Sequence, residues 1–336
     1  MRRATLPLMP GKQKFEQQLA ALDALRDQAP EARPEPLRKA LAQRNNFIVA
    51  KAADLARDFG LAQLIPDMVK AFDRFFEDPN KTDPQCWAKN ALSRALAALD
   101  HQDAVLFLRG MRHIQLEPVW GGRSDSAATL RGTCALALVQ CRSLPDAELL
   151  AHLVDLLGDK EKVVRVEAIR AIEQVGATPA ALLLRLKAVV GGDEPEVLGA
   201  AYGGILHLEG VNAIPWVSRF LDAEDDCAAE AALAIASTRS PQSFQVLRER
   251  LGDASDPWFR SVVLSSIALT RQDKAVDFLL ELIRTQSLQA EGAIEALVRA
   301  MPSTEVISRL EEVVAGNPRL MRAFAAQRDA SAAKPR

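Results

Sequence analysis

Apolar residues recur at helical spacing most clearly in residues 149–176. This stretch contains two such segments, which are separated by Gly158, and the second ends at Gly176. The apolar positions of the first run are Leu149, Leu153, Leu156 and Leu157, and those of the second are Val164, Ala168, Ala171, Ile172 and Val175. The spacing is that of one helix face, and glycine is a common helix terminator. The stretch therefore predicts two antiparallel helices, each with one apolar side.

A single pair of this kind cannot bury its own apolar face, so other pairs must stack on both sides of it. The positions equivalent to Arg165 in successive second helices are Val49, Lys89, Arg131, Arg165, Gly199, Ala229, Arg260 and Ala290. The spacings are 40 and 42 residues up to Arg131 and 30 to 34 residues after it. A repeat of this length predicts an all-α fold, an α-solenoid of about eight stacked helical hairpins.

The second helix of residues 149–176 contains Val164 and Arg165 followed by Ala168 and Ala171. This pattern resembles a HEAT repeat, in the short form found in bacterial HEAT-like proteins and phycobilin lyases. The resemblance implies a stack in which the second helices line a concave face.

The chain is predicted to divide into three parts. Residues 1–12 are expected to be disordered, and residues 13–315 to form the solenoid, with a first helix near 13–29 that caps the stack. Within the solenoid, the repeats of residues 30–142 are longer and irregular, whereas those of residues 143–315 are regular. Residues 316–336 are expected to form a partly disordered C-terminal cap or tail, with a short helix near 319–327.

The longest irregular insertion covers residues 115–127 and reads QLEPVWGGRSDSA. Long loops in a compact repeat are usually functional or disordered, and a segment with a tryptophan and a Gly-Gly pair is not of disordered composition. Trp120 and Arg123 are residue types that dominate binding energy at interfaces, and with Glu117 they are the candidate contact residues of this loop. The alternative is that Trp120 folds back and covers the long second repeat.

The register of the second helices also predicts which residues face a partner on the inner wall. Its candidate binding residues are Gly132, Leu136, Val166, Arg170, Gly203 and His207. An exposed strip of apolar and small residues could hold a helix or an extended peptide. The alternative is that small residues only allow neighbouring helices to approach closely.

Arg131 and Arg165 occupy equivalent positions one repeat apart. They are predicted to pair with nearby aspartates such as Asp125 and Asp159, and so to join adjacent repeats rather than to bind a ligand.

Composition agrees with a helical solenoid, because 49% of the residues are hydrophobic and only 5% are aromatic. The net charge is −2, but residues 1–142 carry 21 Lys/Arg and 16 Asp/Glu, whereas residues 143–315 carry 16 and 27. The acidic half is expected to repel phosphate backbones, so duplex DNA should bind weakly.

Enzyme motifs and metal-binding patterns are missing from the sequence. Deoxyhypusine hydroxylases resemble this architecture but bind iron through His-Glu pairs, and none of the four histidines here precedes a glutamate. No catalytic residue, metal site or cofactor is therefore predicted. The four cysteines form no C-x-x-C motif, Cys134 and Cys141 are expected to pack in the core, and a reducing cytoplasm is the expected compartment. Neither a signal peptide nor a membrane span is predicted.

These features predict a non-catalytic scaffold or adaptor that binds a protein or peptide on its concave face and through the 115–127 loop. One alternative is a lyase-like enzyme, or a subunit of one, that holds a small molecule in the groove. A third is a nucleic-acid-binding helical-repeat protein, which the acidic half disfavours. A closed pocket with convergent polar groups would favour an enzyme.

Overall fold

The computed structural model describes residues 10–300 and 303–332. Its helices group into two compact units, one ending at Val175 and the other beginning at Gly176. The α-helices of the first unit are α1 Pro10–Asp23, α2 Pro34–Leu41, α3 Asn46–Asp58, α4 Ile65–Arg74, α5 Pro79–Thr82, α6 Trp87–Ala98, α7 Ala104–Met111, α8 Ala128–Val139, α9 Asp146–Val154 and α10 Lys162–Val175. Its strands are β1 Leu116–Val119 and β2 Gly122–Asp125.

The α-helices of the second unit are α11 Thr178–Val190, α12 Pro195–Glu209, α13 Ile214–Ser218, α14 Asp226–Ser237, α15 Pro241–Asp253, α16 Pro257–Leu269, α17 Asp273–Arg284, α18 Ala290–Arg299, α19 Thr304–Val314 and α20 Pro318–Ala332. Short 3₁₀ turns lie at Ala24–Asp27, Pro30–Ala32, Ala62–Leu64, Pro84–Cys86, Asp155–Gly158, Gly210–Ala213 and Arg219–Ala223. Helix α10 ends at Val175, directly before Gly176, as predicted.

In the first unit the second helices of the pairs stack in chain order, α3 on α6, α6 on α8 and α8 on α10. The first helices α2, α4, α7 and α9 pack against their own second helices, and α1 packs against α3. The four leucines predicted to be buried between residues 149 and 157 are buried. Val164, Ala168, Ala171 and Ile172 are completely buried between α10 and its neighbours, as predicted.

The second unit repeats this arrangement, with α12, α14, α16, α18 and α20 stacked in order. Helix α20 is longer than the short helix predicted for the tail. Leu320 and Phe324, four residues apart, are buried, which gives α20 an apolar face where α18 and α19 pack against it. Each unit is therefore an α-solenoid. The disorder predicted for residues 1–12 lies mainly outside the described residues, and α1 begins at Pro10.

Short polar side chains mark where several helices begin. The side chain of Asp225 accepts a hydrogen bond from the amide of Ala228 at 2.8 Å, and that of Asp256 accepts one from Phe259 at 2.8 Å. Each caps one of the amide groups that a helix leaves without a partner in its first turn. Among the described residues, no helix is both long enough and apolar enough to cross a membrane.

Candidate functional site

The 115–127 insertion folds as a β-hairpin between α7 and α8. Strands β1 and β2 are antiparallel, with Leu116 opposite Asp125 and Val119 opposite Gly122. Trp120 and Gly121 form the turn, and Gly121 has φ +86°, a conformation that residues with a side chain rarely adopt. The turn therefore places the indole of Trp120 at the tip of the hairpin.

Trp120 is fully exposed, with a relative surface exposure of 103%. It does not cover the second repeat, so the alternative in which it acts as a plug is not the one observed. Val119 and Leu116 on the same hairpin are about half exposed, and Ile114 just before it is 64% exposed. Arg123 is exposed and donates from Nη2 to the carbonyl of Leu116 at 3.0 Å across the hairpin. The tip thus presents apolar surface to solvent.

Glu117 in β1 anchors the hairpin. Its Oε1 atom accepts hydrogen bonds from the amide of Gln85 at 2.6 Å, from Ser126 Oγ at 2.6 Å and from Gln115 Nε2 at 2.7 Å. The carboxylate therefore faces the loop before α6 and does not project toward a partner, in contrast to its predicted contact role. Burial opposes ionisation, but these hydrogen bonds outweigh it, and the pKa of Glu117 lies below its ordinary value.

Beneath Glu117 lies a buried polar network centred on Lys89, the basic residue at the repeat position of Arg165. Lys89 Nζ lies 3.1 Å from Asp83 Oδ2 and donates to Gln115 Oε1 at 2.9 Å and to the carbonyl of Phe75 at 3.1 Å. The side chains of Lys89 and Asp83 are both completely buried. Gln115 Nε2 also donates to the carbonyl of Asp83 at 2.8 Å, which ties the base of the hairpin to the ion pair.

The backbone before α6 adopts conformations that non-glycine residues seldom use. Asp78, Gln85 and Cys86 have φ values of 46°, 60° and 54°. Such residues persist only where surrounding contacts hold them. Here Asp83 accepts hydrogen bonds from the amides of Ala88 and Lys89 at 2.8 and 3.0 Å, so the same network holds both this loop and the hairpin.

Acidification provides a test of the Glu117 anchor. A carboxyl group whose pKa is lower in the folded state than in the unfolded state stabilises the fold. This contribution is fully present at pH values above the ordinary, unfolded-state pKa, and it is lost as the pH falls through the folded-state pKa. We expect the amide proton of Gln85 to change its NMR chemical shift with a midpoint below the ordinary pKa of glutamate. In a Glu117→Gln variant, which lacks the carboxyl group, the chemical shift of the Gln85 amide proton should not show this pH dependence. A midpoint at or above the ordinary value would contradict the anchoring role.

The inner-wall candidates of the first unit lie on the adjacent helices α8 and α10. Gly132 is buried, and a Cβ added there would lie 2.9 Å from Cβ of Glu167, so this glycine allows the two helices to approach closely. Leu136 and Val166 are half-buried, and Arg170 is exposed and paired with Glu167 at 2.7 Å. Close packing explains Gly132, while Leu136 and Val166 still offer some apolar surface.

Gly203 and His207 lie on α12 in the second unit. A Cβ added at Gly203 would meet no atom within 4 Å, so this glycine is not required for helix packing. His207 is exposed. Neither residue belongs to the unit that carries the hairpin.

Arg131 forms the predicted inter-repeat ion pairs. Its guanidinium contacts Asp125 at 2.5 Å and Asp159 at 2.9 Å, and it also donates to the carbonyl of His113 at 2.9 Å. Arg131 therefore links the end of β2 to the turn before α10. Arg165 donates to the backbone carbonyls of Asp159 and Lys160 at 2.5 and 3.0 Å.

Two exposed aromatic residues, at the starts of α3 and α6, were not among the predicted binding residues. Phe47 and Trp87 are 45% and 47% exposed, and their ring centroids are 5.3 Å apart. Trp87 Nε1 donates to the side chain of Gln85 at 3.1 Å, next to the Glu117 anchor. Both residues lie two positions before the equivalents of Arg165, so comparison of repeat positions could have found them.

The three cysteines of the first unit are buried. Cys134 and Cys141 are buried as predicted, and Cys86 is buried as well. Burial raises the pKa of the Cys86 thiol to about 12, which keeps it protonated near neutral pH. In the part of the chain that the structure describes, no three His, Cys, Asp or Glu side chains form a group that could hold a metal ion.

Comparison with known proteins identifies the repeat. The family model of HEAT repeats matches residues 214–298, which run from α13 into α18. No curated protein is significantly similar in sequence. A solved crystal structure of an engineered protein is similar over 95% of this chain and 92% of its own, with 14% sequence identity and a TM-score of 0.39. Residues 214–298 of this chain therefore match the HEAT-repeat family.

Proposed function

We propose that this chain is a non-catalytic HEAT-repeat scaffold that captures a protein or peptide through the hairpin of its first unit. The observation that carries the proposal is the complete exposure of Trp120 at the tip of that hairpin. A tryptophan in water leaves a large apolar surface unburied, and tryptophan is among the residues that dominate binding energy when a partner covers them.

The contacts at the base of the hairpin support this role. Glu117, Gln115 and the buried Lys89–Asp83 pair connect its base to α6. A contact residue on a rigid support loses little conformational freedom on binding, so more of its contact energy appears as affinity. A flexible loop would lose more conformational freedom on binding.

The surroundings indicate the chemistry of the partner. Val119 and Leu116 on the hairpin are exposed, and so are Phe47 and Trp87 at the starts of α3 and α6. The complementary surface on the partner would be an apolar pocket or groove for the indole of Trp120, with further apolar side chains near its edge. Leu136 and Val166 on the stacked second helices would extend the contact. The four free cysteines are typical of a reducing compartment, and we propose a cytoplasmic location on that basis.

Replacing Trp120 with alanine should abolish partner capture and leave the melting temperature unchanged. The side chain is exposed, so its removal creates no cavity in the fold, whereas loss of an interface tryptophan typically weakens binding by at least tenfold. Capture from lysate of the native cell would be compared between the wild-type chain and Trp120→Ala, with a thermal melt of each protein.

Trp258→Ala provides the matched control, because Trp258 is a half-exposed tryptophan in the second unit. The proposal expects a set of proteins retained by the wild type and by Trp258→Ala but missing from Trp120→Ala. An identical set from all three proteins would refute it.

A further inference from the structure

The outer helices of the second unit form a groove that plays no part in the proposed function of the hairpin. Helices α15 and α17, with α19 beside them, line two adjoining open cavities of about 500 and 480 Å³. Both cavities are lined by Phe244, Arg248 and Lys274. They are therefore two lobes of one elongated groove rather than separate sites.

Aromatic rings form the apolar part of the groove. Phe244 of α15 and Phe278 of α17 have ring centroids 6.0 Å apart, and Leu280 lies beside them. The guanidinium carbon of Arg248 lies 5.2 Å from the centroid of the Phe278 ring. This cation–π contact holds Arg248 along the groove, with its hydrogen-bond donors available to a ligand.

Charged side chains line the remainder. Arg309 pairs with Asp277 at 2.5 Å, and Arg284 pairs with Glu281. Within residues 10–300 and 303–332, Arg248 and Lys274 form no ion pair. Asp273, which lines one lobe, lies in the first turn of α17, where the helix dipole favours a negative charge. Both lobes thus share two cationic side chains that form no ion pair with a carboxylate of the described residues.

We propose that this groove binds an acidic peptide segment that also carries apolar side chains. Residues 143–315 hold 27 acidic and 16 basic residues, so two unpaired cations beside two phenylalanines are a local exception to the charge of this region. Carboxylates of the segment pair with Arg248 and Lys274, and its apolar side chains cover Phe244 and Phe278. Charge complementarity of this kind selects acidic partners and excludes basic ones.

A direct binding measurement tests this inference. The probe is a fluorescently labelled synthetic peptide in which glutamate alternates with leucine and phenylalanine, titrated with the full chain and followed by anisotropy. The comparison peptides carry glutamine or lysine in place of glutamate. The glutamate peptide should bind at least tenfold more tightly than either, and more weakly as salt is added, because the interaction lies near the surface.

Charge reversal then locates the site. Arg248→Glu and Lys274→Glu should each weaken binding of the glutamate peptide by at least tenfold. Arg322→Glu makes the same charge change at an exposed arginine of α20 outside the groove and should leave the affinity unchanged. If either reversed variant melts at a lower temperature, Arg248→Gln and Lys274→Gln replace them, with the same direction of effect.

Three results would overturn the inference. The first is equal binding of the glutamate and lysine peptides. The second is equal loss of affinity in Arg322→Glu. The third is self-association of the wild-type chain that Arg248→Glu abolishes, since the groove would then hold a second copy of the chain. Trp120→Ala should bind the glutamate peptide normally, which separates this test from that of the hairpin.

Discussion

Replacing Lys89 with alanine should lower the free energy of unfolding by about 3–5 kcal/mol, the usual cost of removing one partner of a buried ion pair. The Lys89 ammonium group contacts the Asp83 carboxylate, the Gln115 side chain and the Phe75 carbonyl, all within 3.1 Å. Alanine would leave the charge of Asp83 buried without its cation and the carbonyl of Phe75 without this donor. The loss should fall near the lower end of the range, because Asp83 keeps its hydrogen bonds from two α6 amides and from Asn46. Urea unfolding of the full chain measures it.

Lys81→Ala is the matched control for this prediction. Lys81 also pairs with an aspartate, Asp78 at 2.7 Å, but its side chain is 82% exposed. Water screens such a pair, so its removal should not measurably change stability. A double variant with Lys89→Met and Asp83→Leu should lose less than the sum of the two single changes, because it leaves no buried charge unpaired. An equal, small effect of Lys89→Ala and Lys81→Ala would show that the buried network contributes little.

Ala168→Asp is the second change with a large expected effect. Ala168 is completely buried on α10, in the face that packs against α8 and the turn before α10. A carboxyl group at this completely buried position would lose its contact with water, so it should cost about 3 kcal/mol or more whether it ionises or becomes protonated. Each repeat contacts only its neighbours, so the change should lower the urea concentration at which the first unit unfolds.

Gln174→Asp places the same carboxylate on an exposed position of the same helix. It should change stability little, since the charge stays in water. Circular dichroism during urea unfolding would follow both variants. The interpretation of α10 as a buried second helix would be wrong if Ala168→Asp and Gln174→Asp unfolded at the same urea concentration.

The helices were predictable because their signals are local. The apolar spacing between Val164 and Ile172 and the stop at Gly176 determine α10, and Pro179 and Pro195 lie at the starts of α11 and α12. Periodicity, glycine and proline act over a few residues, so a single sequence contains them. The length of helix α20 was underestimated because Leu320 and Phe324 are buried where α20 packs against α18, which is distant in the sequence.

The sequence by itself determined the repeat, its period and the place of the insertion that carries Trp120. Only the tertiary structure decided what the insertion does: Glu117 turns inward to Gln85, Ser126 and Gln115, and the indole of Trp120 is left in water. The same holds for Lys89, which is basic at a repeat position yet is buried because Asp83 and Gln115 meet it there. The groove beside Arg248 likewise depends on residues from separate helices. The direction in which a side chain points and the extent of its burial arise from contacts between segments that are distant in the sequence. A periodic pattern does not encode those contacts.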